Sequence, residues 1–324
     1  NYLYVRKKTG RYTKTHLAKP DFAPIVPRHA DASSAYSKQL DAIPVQEVRP
    51  RYVDFDRDVQ TLHLTPRTTL YVTPNRVNHI FTLKLSYGIG LIEEPKLKLL
   101  AGYIPLLGTK SQSFEALRMR LQTLGSTLDL DADKHSLTFK ITGFDKAFDE
   151  TLQVAGDFLA NVSPDDRKLK TLVDDAKVAE KAFFKSNNEV AEALFEYVQY
   201  GSLSQYLTKP SFKEVKHIRG SELVDLFYRA TQVACTMHYC GTLEAEKVAE
   251  HISRLLPLGK MIRPSLSPVW RDFVTYEKPF VFFYHMPDVF QNIIYAYMAC
   301  KPLDTLKKRH EADLFSRYFG EGMS

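Results

Sequence analysis

The sequence predicts an α+β fold in two layers, with a mixed sheet and helices massed on one face. Three observations point there. Alternating polar and apolar residues recur in three segments between Gln60 and Tyr87, the two-residue period of half-buried strands. From Leu97 to Leu256 the period becomes mainly helical, broken by three further alternating segments. Strands therefore come first and helices follow, whereas a doubly wound parallel sheet would alternate them more strictly.

Residues 1–52 make a poor domain. Prolines 20, 24, 27, 44 and 50 punctuate them and apolar residues are sparse, so the segment reads as an extended Pro-rich linker arm with one short helix between Asp31 and Ile43.

Residues 53–258 carry the main domain. Gln60–Leu64, Thr69–Thr73 and His79–Tyr87 read as three strands with hairpin-like punctuation at Pro74-Asn75. Leu97–Leu107 is apolar on a broad helical face. Ser113 is an N-cap for a helix over Phe114–Leu124 that Gly125 closes. Ser126–Asp131 and Ser136–Gly143 alternate as strands, and Ala147–Asn161 is a helix. Ser163-Pro164-Asp165 opens a longer helix, with Ser as cap, that runs past Lys185. Glu189–Tyr206 and Phe212–Thr231 are two more. Gln232–Cys240 is a buried strand and Leu243–Leu256 a final helix.

Residues 259–324 repeat the opening pattern. After a connector over Leu258–Pro268, Asp272–Tyr276, Pro279–His285 and Phe290–Cys300 read as strands, and Asp304 caps a helix to Phe319. Pro74 and Gly108 are 34 positions apart and Pro287 and Gly320 are 33 apart. Turn, strand, helix and glycine thus recur, as expected of a duplicated domain whose second copy is truncated.

Composition excludes several classes. The 324 residues are 44% hydrophobic and 25% charged, enough to bury a sizeable core. The net charge of +6 is spread along the chain, with a basic run at Arg6-Lys7-Lys8, and no nucleic-acid-binding signature is present, so no nucleic-acid partner is expected. The three cysteines do not make a disulfide scaffold. Cys235, His238 and Cys240 lie on one alternating strand and cannot all point the same way, which argues against a metal site there. His251 and His310 are isolated. No run of apolar residues is long enough to span a bilayer. Neither end looks natural, so the chain reads as a piece of a longer protein whose compartment it does not reveal.

A resemblance to the M16 (insulinase-like, pitrilysin-like) zinc metallopeptidases runs from about Asp54 to Ser324. It is carried by Leu106-Leu-Gly-Thr-Lys-Ser-Gln-Ser-Phe-Glu-Ala-Leu117 with Leu124-Gly-Ser126, by Tyr197-Val-Gln-Tyr-Gly-Ser202 with Tyr206 and Pro210-Ser211, and by Tyr318-Phe-Gly-Glu-Gly-Met-Ser324. The resemblance implies repeats of one α+β domain, in which the active half carries an inverted zinc motif, His-x-x-Glu-His. Two imidazoles on one helix face grip the ion there and the Glu acts as general base, while a distant Glu supplies the third protein ligand. Anchored on Gly108-Thr109, the motif positions are Leu99, Leu100, Ala101, Gly102 and Tyr103, so none of the required groups stands at Leu99, Gly102 or Tyr103. Only Glu180, near the third-ligand position, is retained. The sequence contains neither His-x-x-Glu-His nor His-Glu-x-x-His. The family's substrate-stabilising Arg and Tyr would lie beyond Ser324.

The resemblance therefore implies a non-catalytic C-terminal half of a zinc metalloendopeptidase, inactive alone. It has no catalytic or metal-binding residue and no cofactor of its own, with zinc held by the parent's catalytic half. Its expected partners are that N-terminal catalytic half and peptide substrates, enclosed for proteolysis by chamber walls and edge strands; a homo-oligomer is left open. The alternative is a catalytically inert scaffold or partner-binding subunit, which the sequence preceding Asn1 would distinguish.

Overall fold

The structure is a computed structural model that describes residues 32–45, 52–264, 271–287, 289–298 and 302–320. The chain divides into two units, Asn1–Tyr52 and Val53–Ser324. In the first, the expected short helix is α1 (Ala35–Asp41), started by Ser34, whose hydroxyl accepts the Ser37 N–H. Most of the expected linker arm, with prolines 20, 24, 27 and 50, lies outside the described residues, as do the basic run Arg6-Lys7-Lys8 and residues 321–324.

The second unit begins with a short helix, α2 (Phe55–Asp58), and is organised by a six-stranded sheet. Its strands are β1 (Gln60–Thr65), β2 (Thr68–Pro74), β3 (Ile80–Tyr87), β4 (Thr127–Ala132), β5 (Leu137–Phe144) and β6 (Cys235–Gly241), in the order β1-β2-β6-β3-β5-β4. Only β2 and β6 pair in parallel. The sheet is therefore mixed, as predicted, but one expected neighbour pair is corrected. β2 and β3 do not form a hairpin through Pro74-Asn75, because β6 returns from far along the chain and bonds to both. Asn75 instead turns the chain by donating its N–H to Gly241 O and its side-chain amide to Ile80 O.

Strand alternation sends Leu70, Phe81, Leu83, Leu85, Phe139, Ile141, Met237 and Tyr239 into one core. It is covered by α3 (Leu97–Tyr103), α4 (Phe114–Leu124), α5 (Phe148–Asn161), the start of α6 (Asp166–Phe183), α10 (Gly220–Ala230) and α11 (Ala245–Leu255), while α7 (Asn187–Tyr200), α8 (Gln205–Thr208) and α9 (Phe212–Val215) contribute no residue to it. Helix-borne Leu100, Phe148, Leu152, Phe227 and Ile252 are fully or almost fully buried. Each such side chain contributes about 1.5–3 kcal/mol on burial. Phe148 fixes α5 to the sheet by meeting Phe81 edge-on at 4.8 Å and Tyr239 at 5.4 Å.

Helix ends follow local chemistry where caps are local. Ser113 accepts Ala116 N–H, and Gly125 ends α4 at φ 64°, in the left-handed region that glycine enters freely. Three of the expected helices are corrected. α6 is capped by Asp165, not Ser163, since Asp165 accepts the Arg167 N–H; it ends at Phe183, short of Lys185. The helix expected to reach Tyr206 stops at Tyr200, where Gly201 turns the chain and Ser204 caps α8. The helix expected over Phe212–Thr231 splits into α9 and α10, because the Gly220 N–H is bound by Asp166 at 2.8 Å and starts a new helix.

The strands expected at Asp272–Tyr276, Pro279–His285 and Phe290–Cys300 are not formed among the described residues; Asp288 and the last two residues of the third segment lie outside them. An isolated hairpin is marginal without further strands. The segment's polar groups go instead to the end of α7. Val274 N–H donates to Gln199 O at 2.8 Å, Tyr276 Oη to Val198 O at 2.7 Å, and Arg271 to Leu203 O at 3.0 Å. These bonds satisfy carbonyls that a helix C-terminus leaves open. The expected last helix is present as α12 (Leu306–Gly320), with no buried residue.

On β6 the pattern is strict. Cys235, Met237 and Tyr239 face the core; Thr236, His238 and Cys240 face outward. Cys235 thus points away from His238 and Cys240, as the alternation requires. Burial pushes the Cys235 thiol far above its usual range. Under native conditions iodoacetamide should therefore modify Cys240 and leave Cys235 unmodified until the protein is unfolded, as read by mass spectrometry of the separated peptides.

Candidate functional site

The helix α3 packs between β4, α6 and α10, and its composition explains its burial. Leu97, Leu100, Ala101 and Tyr103 turn into the core, Leu99 is half-buried, and Gly102 faces outward toward α6, where a side chain would meet Leu172 at 3.9 Å. Leucine and glycine side chains offer no lone pair to a metal. Leu99 and Gly102 therefore do not fit zinc, and the buried hydroxyl of Tyr103 is taken up by a backbone N–H. Among the described residues, no cluster of three His, Cys, Asp or Glu side chains is placed to hold a metal ion.

Tyr103 has a structural role that the sequence does not reveal. Its ring is 0% exposed, and its hydroxyl accepts the Asp165 N–H at 2.9 Å where α6 begins. Burial, aided by the nearby Asp166 and Asp165 carboxylates, holds the phenol above its usual pKa despite that hydrogen bond. Gly220 lies so close that a β-carbon there would stand 2.2 Å from the hydroxyl oxygen. Tyr103 thus ties together α3 and the first turns of α6 and α10.

The turn after α3 is held by its own atoms. Thr109 is buried, its N–H bonds to Gln112 O at 2.9 Å, and its hydroxyl accepts from the Ser111 and Gln112 N–H groups. Gly108 is needed for close approach, since a β-carbon would lie 2.3 Å from Gln112 O.

Glu180 is not brought to these positions. It stands eight residues beyond Leu172 on α6, roughly 12 Å of helix rise. Its carboxylate accepts the Phe212 N–H at 3.3 Å at the start of α9. His251 is likewise engaged, with Asp149 and Arg254 on the α5–α11 surface; His310 is an exposed residue of α12.

The other face of the sheet carries no helix-facing core residues, and its central row crosses all six strands. Register aligns Thr61, Tyr71, His238, Lys84, Lys140 and Asp129 in that order. Tyr71 and His238 stack at 5.1 Å. Neither Lys84 nor Lys140 forms an ion pair among the described residues. Burial, then the Lys84 charge, hold the His238 imidazole below its usual pKa. Alternation shows that Lys84 faces outward, but nothing local shows that it stands beside Lys140 and His238. The sheet's outer edges are β1 and β4; α11 packs beside β1, and α3 beside β4.

No protein-family model matches the sequence, and no curated protein sequence matches it. Solved structures do match. The peptidase M16 inactive domain from Pseudomonas fluorescens superposes at TM-score 0.55 and 16% identity, over 65% of this chain and 52% of that one. The ferredoxin protease FusC, a mutant solved in complex with Arabidopsis ferredoxin, matches at TM-score 0.59 and 13% identity, over 78% of this chain and 30% of that one. The periplasmic protease PqqL from Escherichia coli matches at TM-score 0.54 and 12% identity, over 73% and 28%. The chain spans about half the length of the first and under a third of the other two. At these identities the likeness is one of fold: the chain has the α+β fold of an M16 peptidase inactive domain.

Proposed function

We propose that this chain is the non-catalytic half of an M16-type zinc metalloendopeptidase and helps enclose peptide substrates that are hydrolysed on a separate zinc-bearing half. The observation that carries the reading is α3. It occupies the place where the resemblance puts a zinc-binding helix, and it is filled by Leu99, Gly102 and a buried, hydrogen-bonded Tyr103. On this reading Glu180, which falls near the third-ligand position in sequence, no longer serves a metal and caps α9. Residues 1–52 serve as the linker from the catalytic half, and residues 259–324 open a second domain of the same kind. FusC, whose structure holds ferredoxin, supports a polypeptide as the enclosed substrate.

The chain alone is expected to hydrolyse no peptide. Mixed with a separately made zinc-bearing half, it should restore cleavage of unstructured peptides, measured with a quenched fluorescent substrate. Absence of cleavage by the combined halves would favour the inert scaffold or partner-binding subunit. Glu180→Gln should leave zinc content unchanged and alter the unfolding free energy by no more than about 1 kcal/mol, the worth of an exposed hydrogen bond.

A further inference from the structure

The centre of the open sheet face places two lysines side by side, neither of them in an ion pair among the described residues. Lys84 and Lys140 stand directly opposite each other on β3 and β5, and His238 stands opposite Lys84 on β6. Like charges opposed across a strand pair repel, and neither lysine has an ion-pair partner among the described residues. One strand further out the sign reverses. Asp129 lies opposite Lys140, and Asp131 opposite Thr138, on the edge strand β4. The flanking rows carry hydroxyls at Thr82 and at the mutually bonded Ser86 and Thr138.

We propose that this face binds an acidic polypeptide segment, with carboxylates over Lys84 and Lys140 and a basic side chain over Asp129 and Asp131. The proposal deepens the reading above and rests on it only for identifying that segment as substrate. Charge complementarity selects the occupant. The positive patch is about one strand spacing wide, ~5 Å, and the negative edge begins one spacing beyond. A carboxylate and a cation two or three residues apart on an extended chain, at about 3.3 Å per residue, span that change of sign. A nucleic-acid strand carries unbroken negative charge and needs a continuous positive stripe; along this row it would run onto Asp129.

The test uses the full 324-residue chain and a fluorescein-labelled acidic peptide with four glutamates followed by one lysine, read by fluorescence anisotropy at low salt. The same peptide with glutamines for glutamates, and an oligonucleotide of matched negative charge, are the comparisons. The expected result is binding of the acidic peptide that weakens about fivefold to tenfold in Lys84→Gln/Lys140→Gln, with circular dichroism unchanged. In the unsubstituted protein the peptide should also raise the His238 imidazole pKa in a proton NMR titration, because its carboxylates offset Lys84. Equal affinity of parent and variant, or an unmoved His238, overturns the proposal; so does tighter binding of the oligonucleotide. Cleavage by the recombined halves without a preference for acidic peptides would sink this proposal and leave the proposed function standing. Acidic-peptide binding without restored cleavage would do the reverse.

Discussion

Truncating Tyr103 to Ala should lower the unfolding free energy by about 4 kcal/mol, the usual cost of removing a buried aromatic ring. The ring is fully buried among α3, α6 and α10, and its hydroxyl accepts the Asp165 N–H. Tyr103→Phe isolates the second contribution. It keeps the packing and leaves one N–H without its acceptor, for a loss of about 1 kcal/mol. Urea unfolding followed by circular dichroism distinguishes the two. A near-neutral Tyr103→Ala would mean that the ring is not the tie between these helices. The same geometry makes the reverse substitution instructive. Rebuilding the motif as Leu99→His, Gly102→Glu and Tyr103→His removes the buried ring and leaves Glu180 roughly 12 Å along α6 from Leu172. That variant should unfold at lower urea than the parent.

Arg271→Ala should detach the segment 271–298 from α7, at a cost of about 3 kcal/mol to its docking. The Arg271 side chain is 5% exposed and pairs with Glu196, 15% exposed, at 2.7 Å. It also lies 4.0 Å from the centre of the Tyr200 ring and donates to Leu203 O. Removing it leaves the Glu196 carboxylate largely buried, with a long hydrogen bond from Ser204 at 3.4 Å as its remaining bond among the described residues. Arg271→Lys restores a charge without the planar fork or its stacking on Tyr200, so it should recover only part of the loss. Limited proteolysis reads this directly, as faster cutting between Phe273 and Tyr297 in the alanine variant. Equal cutting rates in variant and parent would show that other contacts, such as the Tyr276 bond to Val198, suffice to hold the segment.

What could be read from the sequence was what neighbouring residues decide. Ser113 and Gly125 bracket α4 as expected because a cap and a left-handed glycine act within one turn. The outward set on β3 and the split of Cys235 from His238 and Cys240 follow from strand alternation alone. The apolar face of α3, with Leu97, Leu100 and Tyr103 buried, was legible from helical spacing alone.

What was missed depends on partners distant in the chain. The insertion of β6 between β2 and β3 joins residues some 165 positions apart, as in Leu70 beside Met237. The break before α10 comes from Asp166 binding the Gly220 N–H across 54 positions. The segments after Lys260 have the alternation of strands, yet their hydrogen bonds go to α7, through Tyr276 to Val198 across 78 positions. The charged row on the open face exists only once β6, β3 and β5 are aligned.

The central claim, that α3 is a zinc-motif helix turned into core, is tested most directly by metal content. The chain, expressed with zinc in the medium and freed of loosely bound ions by gel filtration, should contain far less than one zinc per molecule by inductively coupled plasma mass spectrometry. One tightly held zinc per chain, lost on substitution of a residue in or beside α3, would contradict it.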